Sequence, residues 1–249
     1  MTKAVPEIKI WETDRALHDF TRTPVLYGGE ERAFASVMSN DLRGKKVLDL
    51  GCGGGRTSGF LRDMGGEVVG MDISHRLIAA AQSRFQGIDF HVGDAASLPY
   101  PDNRFDYVLF SFNGMGCLYP IAARKKCIGE IKRVLRPGGV FIVSFHNLSA
   151  FIFGWYKFMR PWKLLFRIKT ILRGNVFKKG CYIVEPNEFN MKIYYTWPAV
   201  FRSEMAAFGF ETIGIYPNAP VLGWLQAITR TTAFTRMCDP WPYYALRKT

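Results

Sequence analysis

At 249 residues, 48% of them hydrophobic, the chain is long enough for one α/β domain with a substantial core and an insertion. A formal charge of +12 favours anionic partners: nucleic acid, an acidic lipid surface or a phosphorylated substrate. No uninterrupted apolar run reaches about 18 residues, the first fourteen residues lack the apolar stretch of a secretory signal, and the five cysteines form no C-x-x-C pair, so a spanning helix, an export leader, a disulfide framework and a zinc or other metal site are not expected.

Residues 1–28 read as a short helix and a loop broken by Pro24 and Gly28-Gly29, the start of a helical cap segment that extends to residue 43. Phe34, Val37, Met38 and Leu42 then recur at helical spacing, predicting a helix over 30–42 with Glu30 and Glu31 complementing its dipole. Val47-Leu48-Asp49-Leu50 is a buried strand carrying a carboxylate, followed by Gly51-Cys52-Gly53-Gly54-Gly55 and a helix over 57–64. Glycines at such a turn let the backbone approach a ligand closely. A second strand ends at Asp72, about twenty residues on, the spacing that suits a ribose diol. Ser74 caps a helix over 74–85, and a third strand over 88–92 leads to Asp94.

A fourth, almost wholly apolar strand over 105–110 reads as covered on both faces. The loop Ser111-Phe112-Asn113-Gly114 at its carboxyl end lies where open α/β sheets bind ligands. A helix over 122–135, a turn at 136–139 and a strand over 140–145 bring the chain to His146. Residues 147–180 carry eight Lys and Arg, no Asp or Glu, and interleaved aromatics; Phe151, Trp155, Phe158, Trp162 and Phe166 share one helical face. The remainder predicts a loop and strand over 184–195, a helix over 198–208 capped by Thr196, a strand over 210–216, a connection with a helix at 222–229, and a last strand over 243–246.

The runs VLDLGCGGGRTSGFL, VVGMDIS, GDAASLPYPDNRFDYVLFS and LRPGGVFIVS, spread over residues 44–146, resemble the class I S-adenosylmethionine-dependent methyltransferases, most of all the broad branch with the ubiquinone and menaquinone enzymes. The resemblance implies a Rossmann-like α/β fold: a seven-stranded sheet with helices on both faces, over residues 44–249, with a lid-like helical insertion at 147–195 after strand five. It implies S-adenosylmethionine as cofactor, its amino-acid end held by Gly51, Cys52, Gly53, Gly55, Arg56 and Thr57 with Asp49 near the ammonium. Asp72 would take the ribose hydroxyls, Met71 and Ile73 would flank the adenine, Asp94 and Ala95 would face its edge, and Ser111 would complete the seat. Tyr27, Phe112, Asn113, Tyr119 and His146 are expected around the acceptor, with His146 the candidate general base for a hydroxyl. Asp49 weighs against a dinucleotide, since a carboxylate in the glycine loop repels a pyrophosphate.

The expected activity is methyl transfer to oxygen or nitrogen of a small or lipid-soluble acceptor in the cytoplasm, with residues 147–180 as a lid or as a peripheral contact with anionic membrane. Two alternatives stand beside it: a nucleic-acid methyltransferase, disfavoured because the 111–114 loop lacks the Pro-Pro-aromatic run that stacks a flipped base, and a non-catalytic membrane-docking protein retaining the fold.

Overall fold

The computed structural model of the chain describes residues 8–21, 25–153, 180–184, 192–218 and 239–249. The helical face anticipated over 151–166 lies outside the described residues beyond Phe153, as does the helix at 222–229.

Strand β1 (Lys46–Leu50) is central, and β2 (Glu67–Asp72), β3 (Asp89–Val92), β4 (Phe105–Phe110) and β5 (Leu135–Ser144) are laid parallel to it. With β9 (Phe210–Tyr216) and β10 (Tyr243–Lys248) they form a seven-stranded sheet in the order β3-β2-β1-β4-β5-β10-β9, where the numbering skips the strands of a second, smaller sheet. β10 runs antiparallel to both its neighbours. The order reverses between β1 and β4, which opens a crevice at their carboxyl ends.

Consecutive apolar residues along the central strands enter opposite layers. Leu48, Val108 and Phe141 join one core with Ile128 and Ile131, while Val47, Leu109 and Ile142 join the other with Phe34, Leu61 and Ile78. That two-sided demand explains why these strands read as nearly continuous hydrophobic runs. One layer receives α6 (Ile121–Val134) and α8 (Pro198–Ala207); the other receives α4 (Arg56–Asp63) and α5 (His75–Arg84).

The small sheet was not legible beforehand. His146–Asn147 form β6, parallel to β8 (Lys192–Thr196), which pairs antiparallel with β7 (Gly180–Val184). Its core is Cys181, Ile183, Ile193 and Tyr195, packed with Leu148 and Phe151 of α7 (Leu148–Phe153). His146, expected just beyond a strand, is thus held within one.

Local differences have local causes. The 30–42 helix is instead α3 (Gly28–Ala33) continued by a π-helical stretch over Phe34–Met38, because Ser39 and Asn40 take left-handed angles and the Leu42 amide bonds to Met64. Ser74 caps α5 as expected, its Oγ accepting from the Leu77 amide. Thr196 does not cap α8: it is buried in β8, and Trp197 takes the cap position. β5 starts at Leu135 because the predicted turn at 136–139 is a bulge between the Phe105–Leu135 and Tyr107–Val140 pairings.

The fully buried Arg124 of α6 is neutralised by Glu204 of α8, and its guanidinium lies 4.3 Å from the Tyr194 ring centroid of β8. Removing the acid strands a cation in the core. Glu204→Ala is therefore expected to destabilise the fold by about 3 kcal/mol, read as a lower urea midpoint; an unchanged midpoint would show that the pair does not carry the α6–α8 contact.

Candidate cofactor and acceptor site

The turn after β1 is built on backbone geometry. Gly51, Gly53 and Gly55 all have positive φ, which L side chains rarely adopt, and the Gly51 and Cys52 amides both donate to the Met71 carbonyl. Gly54 has another reason to lack a side chain. A Cβ there would press on the Phe20 carbonyl and on Thr21, at the end of α2 (Asp14–Thr21), which crosses the loop. That helix and α1 (Ile8–Trp11) are fastened to the start of α5: Ser74 Oγ donates to the Trp11 carbonyl, the His75 amide to Glu12, and Arg76 to Asp14.

Asp49 is fully buried. Its Oδ2 accepts from Thr57 Oγ at 2.7 Å and Ser58 Oγ at 2.6 Å, while Oδ1 has no partner. Burial pushes the carboxyl up to about 6, against the pull of the two hydroxyls. An orphaned buried carboxylate oxygen is costly, and a cation placed beside it would remove that cost. Thr57 therefore serves the site through Asp49, and Ser58, missed in the sequence, shares the task.

Asp72 ends β2 half-buried, with Oδ2 accepting from the Gly53 amide at 2.9 Å and Oδ1 from the Ser74 amide at 2.9 Å. Burial raises its pKa, while these amides oppose the rise. The two bonds aim the carboxylate and tie the second strand tip to the glycine turn. Asp94, exposed beyond β3, folds back to accept from the Ala96 amide at 2.8 Å, with Ala95 partly buried beside it. Met71 is fully buried, its sulfur accepting from the Tyr100 hydroxyl, so of the expected adenine-flanking pair only Ile73 is partly exposed. The Cys52 thiol is buried and its pKa pushed well up by that burial, which makes it a packing residue and no nucleophile.

Arg56 is bound to the N-terminal segment. Its guanidinium forms a bidentate pair with Glu30 at 2.6 and 2.7 Å, donates to the Val25 carbonyl and lies 4.9 Å from the Tyr27 ring centroid. Glu30, expected at a solvated helix start, is fully buried. It also accepts from the Tyr27 amide at 2.8 Å, from the Tyr243 hydroxyl at 3.0 Å and from Ser111 Oγ. Ser111 is thus drawn into a buried polar cluster with Tyr243, their oxygens 2.8 Å apart.

Beyond Ser111, Phe112 and Asn113 are successive non-glycine residues with positive φ, at 50° and 61°, an uncommon backbone conformation that throws the Phe112 ring outward. The ring stacks on Tyr27 at 5.2 Å, meets Phe20 edge-on at 5.7 Å and lies 6.5 Å from Trp241. Asn113 is buried, its amide donating to Ser144 Oγ and its side-chain oxygen without a partner. The Phe110 ring fills the room that side chains at both Gly51 and Gly114 would need. His146 Nδ1 accepts from Trp241 Nε1 at 3.1 Å. An indole nitrogen can only donate, so the neutral imidazole carries its hydrogen on Nε2 and its one lone pair is already engaged. The lone pair that the expected general base would use is thus occupied by Trp241 in this structure. Tyr119 packs apart from this group, against Tyr182 and under Lys192 Nζ. Among the described residues, no group of three or more His, Cys, Asp and Glu is arranged to hold a metal.

A sheet that reverses order beside a glycine turn, with an acid at each of three strand tips, defines the Rossmann-like methyltransferase architecture. The sequence profile described as a methyltransferase domain matches residues 48–143, and over that stretch the chain is similar to the S-adenosylmethionine-dependent methyltransferases. It is similar to a demethylmenaquinone methyltransferase of Renibacterium salmoninarum, 39% identical over 41% of this chain and 41% of that relative, so the match spans well under half of either protein. Two solved structures share the fold. The CcbJ methyltransferase from Streptomyces caelestis has a TM-score of 0.65 at 15% identity, over 98% of this chain and 100% of that one. The [4+2]-cyclase SpnF has a TM-score of 0.61 at 19% identity, over 98% and 97%.

Proposed function

We propose that the chain is an enzyme that transfers a methyl group from S-adenosylmethionine to an oxygen or nitrogen of a small or lipid-soluble acceptor, with a flat quinone-like ring favoured. When bound, the cofactor supplies an electrophilic methyl group on a positively charged sulfur. Its fit is supported above all by the unpartnered, buried Asp49 Oδ1, which matches the ammonium of its amino-acid end. Asp72 takes the ribose diol, Ile73 and Ala95 flank the adenine, and Asp94 faces its amino group. Arg56 acts at one remove, through the N-terminal segment.

The acceptor reading is carried by the aromatic wall at the β4 tip: Phe112 with Tyr27, Phe20 and Trp241 around it. Flat π faces hold a flat ring in one plane, and most of the help a methyl transfer needs is positioning. Asn113 Oδ1 orients a donor on that ring, and His146 contributes to the wall. The name of the Renibacterium relative supports a quinone acceptor, and the cyclase shows that the fold also serves other chemistry. The test is release of S-adenosylhomocysteine and methylated product from a panel of hydroquinones, phenols and amines. Turnover only with flat ring acceptors is expected, whereas turnover only with aliphatic amines or sugars would overturn the quinone-like acceptor.

The basic, aromatic-rich sequence of residues 147–180 is proposed to make a peripheral contact with anionic lipid. The exposed Tyr119 lies under Lys192 Nζ, and Ile121, two residues on, is exposed as well. No described helix is long and apolar enough to cross a membrane. Sedimentation with anionic but not neutral vesicles, weakened by salt, is the expected result; equal failure with both would remove the lipid contact.

A further inference from the structure

We propose that Glu30 is a positioning residue that couples occupancy of the cofactor seat to the wall of the acceptor pocket. The inference rests on the cofactor seat described under the proposed function.

Glu30 belongs to the N-terminal segment, yet its carboxylate is held by donors from four separate places. Arg56 is the first residue of the helix after the glycine turn, Ser111 stands at the tip of β4, Tyr243 opens β10, and the Tyr27 amide lies one turn back. With five donors on two oxygens, the carboxylate's lone pairs are committed, so it holds groups in place and does not shuttle a proton. Arg56 adds its own grip on the segment, through the Val25 carbonyl and the Tyr27 ring. The segment it secures presents Tyr27 to Phe112.

A single buried ion pair therefore links the loop that cradles the cofactor to the ring that lines the acceptor pocket. Any opening of residues 25–33 must pull a carboxylate off a guanidinium that is only 15% exposed. A ligand that steadies the glycine turn and the start of α4 steadies Arg56, and through it Glu30 and Tyr27. The coupling is mutual, so loosening the segment weakens the ligand's hold in turn.

Hydrogen exchange followed by mass spectrometry, with S-adenosylhomocysteine as the probe, tests this. In the wild type the probe is expected to slow exchange by about tenfold both in residues 51–59 and in residues 25–33. Glu30→Gln keeps the shape but loses the charge. In that variant slowing at 51–59 persists, whereas slowing at 25–33 falls below about twofold. Arg56→Lys, which keeps the charge but loses the fork, gives the same split and serves if the Gln variant does not fold. Slowing at 25–33 that survives both substitutions would overturn the proposal, as would its absence from a wild type that protects 51–59. No slowing anywhere, together with no heat of binding, would count instead against the cofactor seat itself and would take the coupling with it.

Discussion

Asp72→Ala is expected to bind S-adenosylhomocysteine at least ~100-fold more weakly than the wild type while remaining folded. The size follows from the role proposed for the carboxylate. Two ribose hydroxyls bonded to a charged acceptor contribute about 1.5–3 kcal/mol each, and either end of that range places the combined loss at two orders of magnitude or more. The substitution also releases the Gly53 and Ser74 amides, which Asp72 holds at 2.9 Å, so the glycine turn and the start of α5 lose the same anchor. Titration calorimetry measures the affinity and circular dichroism checks the fold. An affinity within threefold of wild type, on the order of 0.6 kcal/mol, would remove Asp72 from the seat.

Asp49→Asn should separate stability from binding. The Asp49 carboxyl has its ordinary value of 3.8 when unfolded, and burial pushes it up to about 6 in the fold. Folding thus takes up a proton between those values. Whatever Asp49 contributes to stability is fully present below pH 3.8 and is lost as the pH rises through 6, where an ionised carboxylate must stay buried with one oxygen unpartnered. Asparagine keeps an acceptor for Thr57 and Ser58 and carries no charge. The ligand-free variant is expected to be more stable than wild type at pH 7.5, by on the order of 2 kcal/mol, with the gap closing towards pH 4. The same variant should bind S-adenosylhomocysteine at least ~50-fold more weakly, because the ammonium loses its counter-charge. In the wild type the ligand should bind more weakly as the pH falls through 6, with proton release on binding near that pH. Paired thermal unfolding and calorimetry in buffers of different ionisation enthalpy test both halves. A variant less stable at pH 7.5 with unaltered affinity would contradict both.

These expectations reach back to what the chain discloses by itself. Asp49, the glycine turn and Asp72 are visible because strand tips place their chemistry within a few residues of an apolar run, and the intervals between the runs are short. β1, β2 and β4 were legible for the same reason: each is buried along most of its length. Glu30 was hidden, because an acid in the first turn of a helix ordinarily faces water, and nothing nearby in sequence reveals that Tyr243 will meet it. Trp241 beside His146 is hidden likewise, 95 positions away. The β6–β8–β7 sheet is hidden because β6 is two residues long, and nothing in the local sequence shows that its His146 and Asn147 pair with Tyr195 and Thr196. Arg56 stands one residue before the helix predicted over 57–64, and only the folded chain shows that it opens α4 and pairs with Glu30.

The Phe110 ring occupies the space that β-carbons at both Gly51 and Gly114 would claim. One aromatic side chain is thus a party wall between the two ligand-bearing loops, and neither loop is free to mutate alone. Gly51→Ala and Gly114→Ala push on the same neighbour, so their penalties will not add. A lineage that acquires a larger residue on the acceptor side must first shrink position 110, and that concession alters the cofactor side in the same stroke.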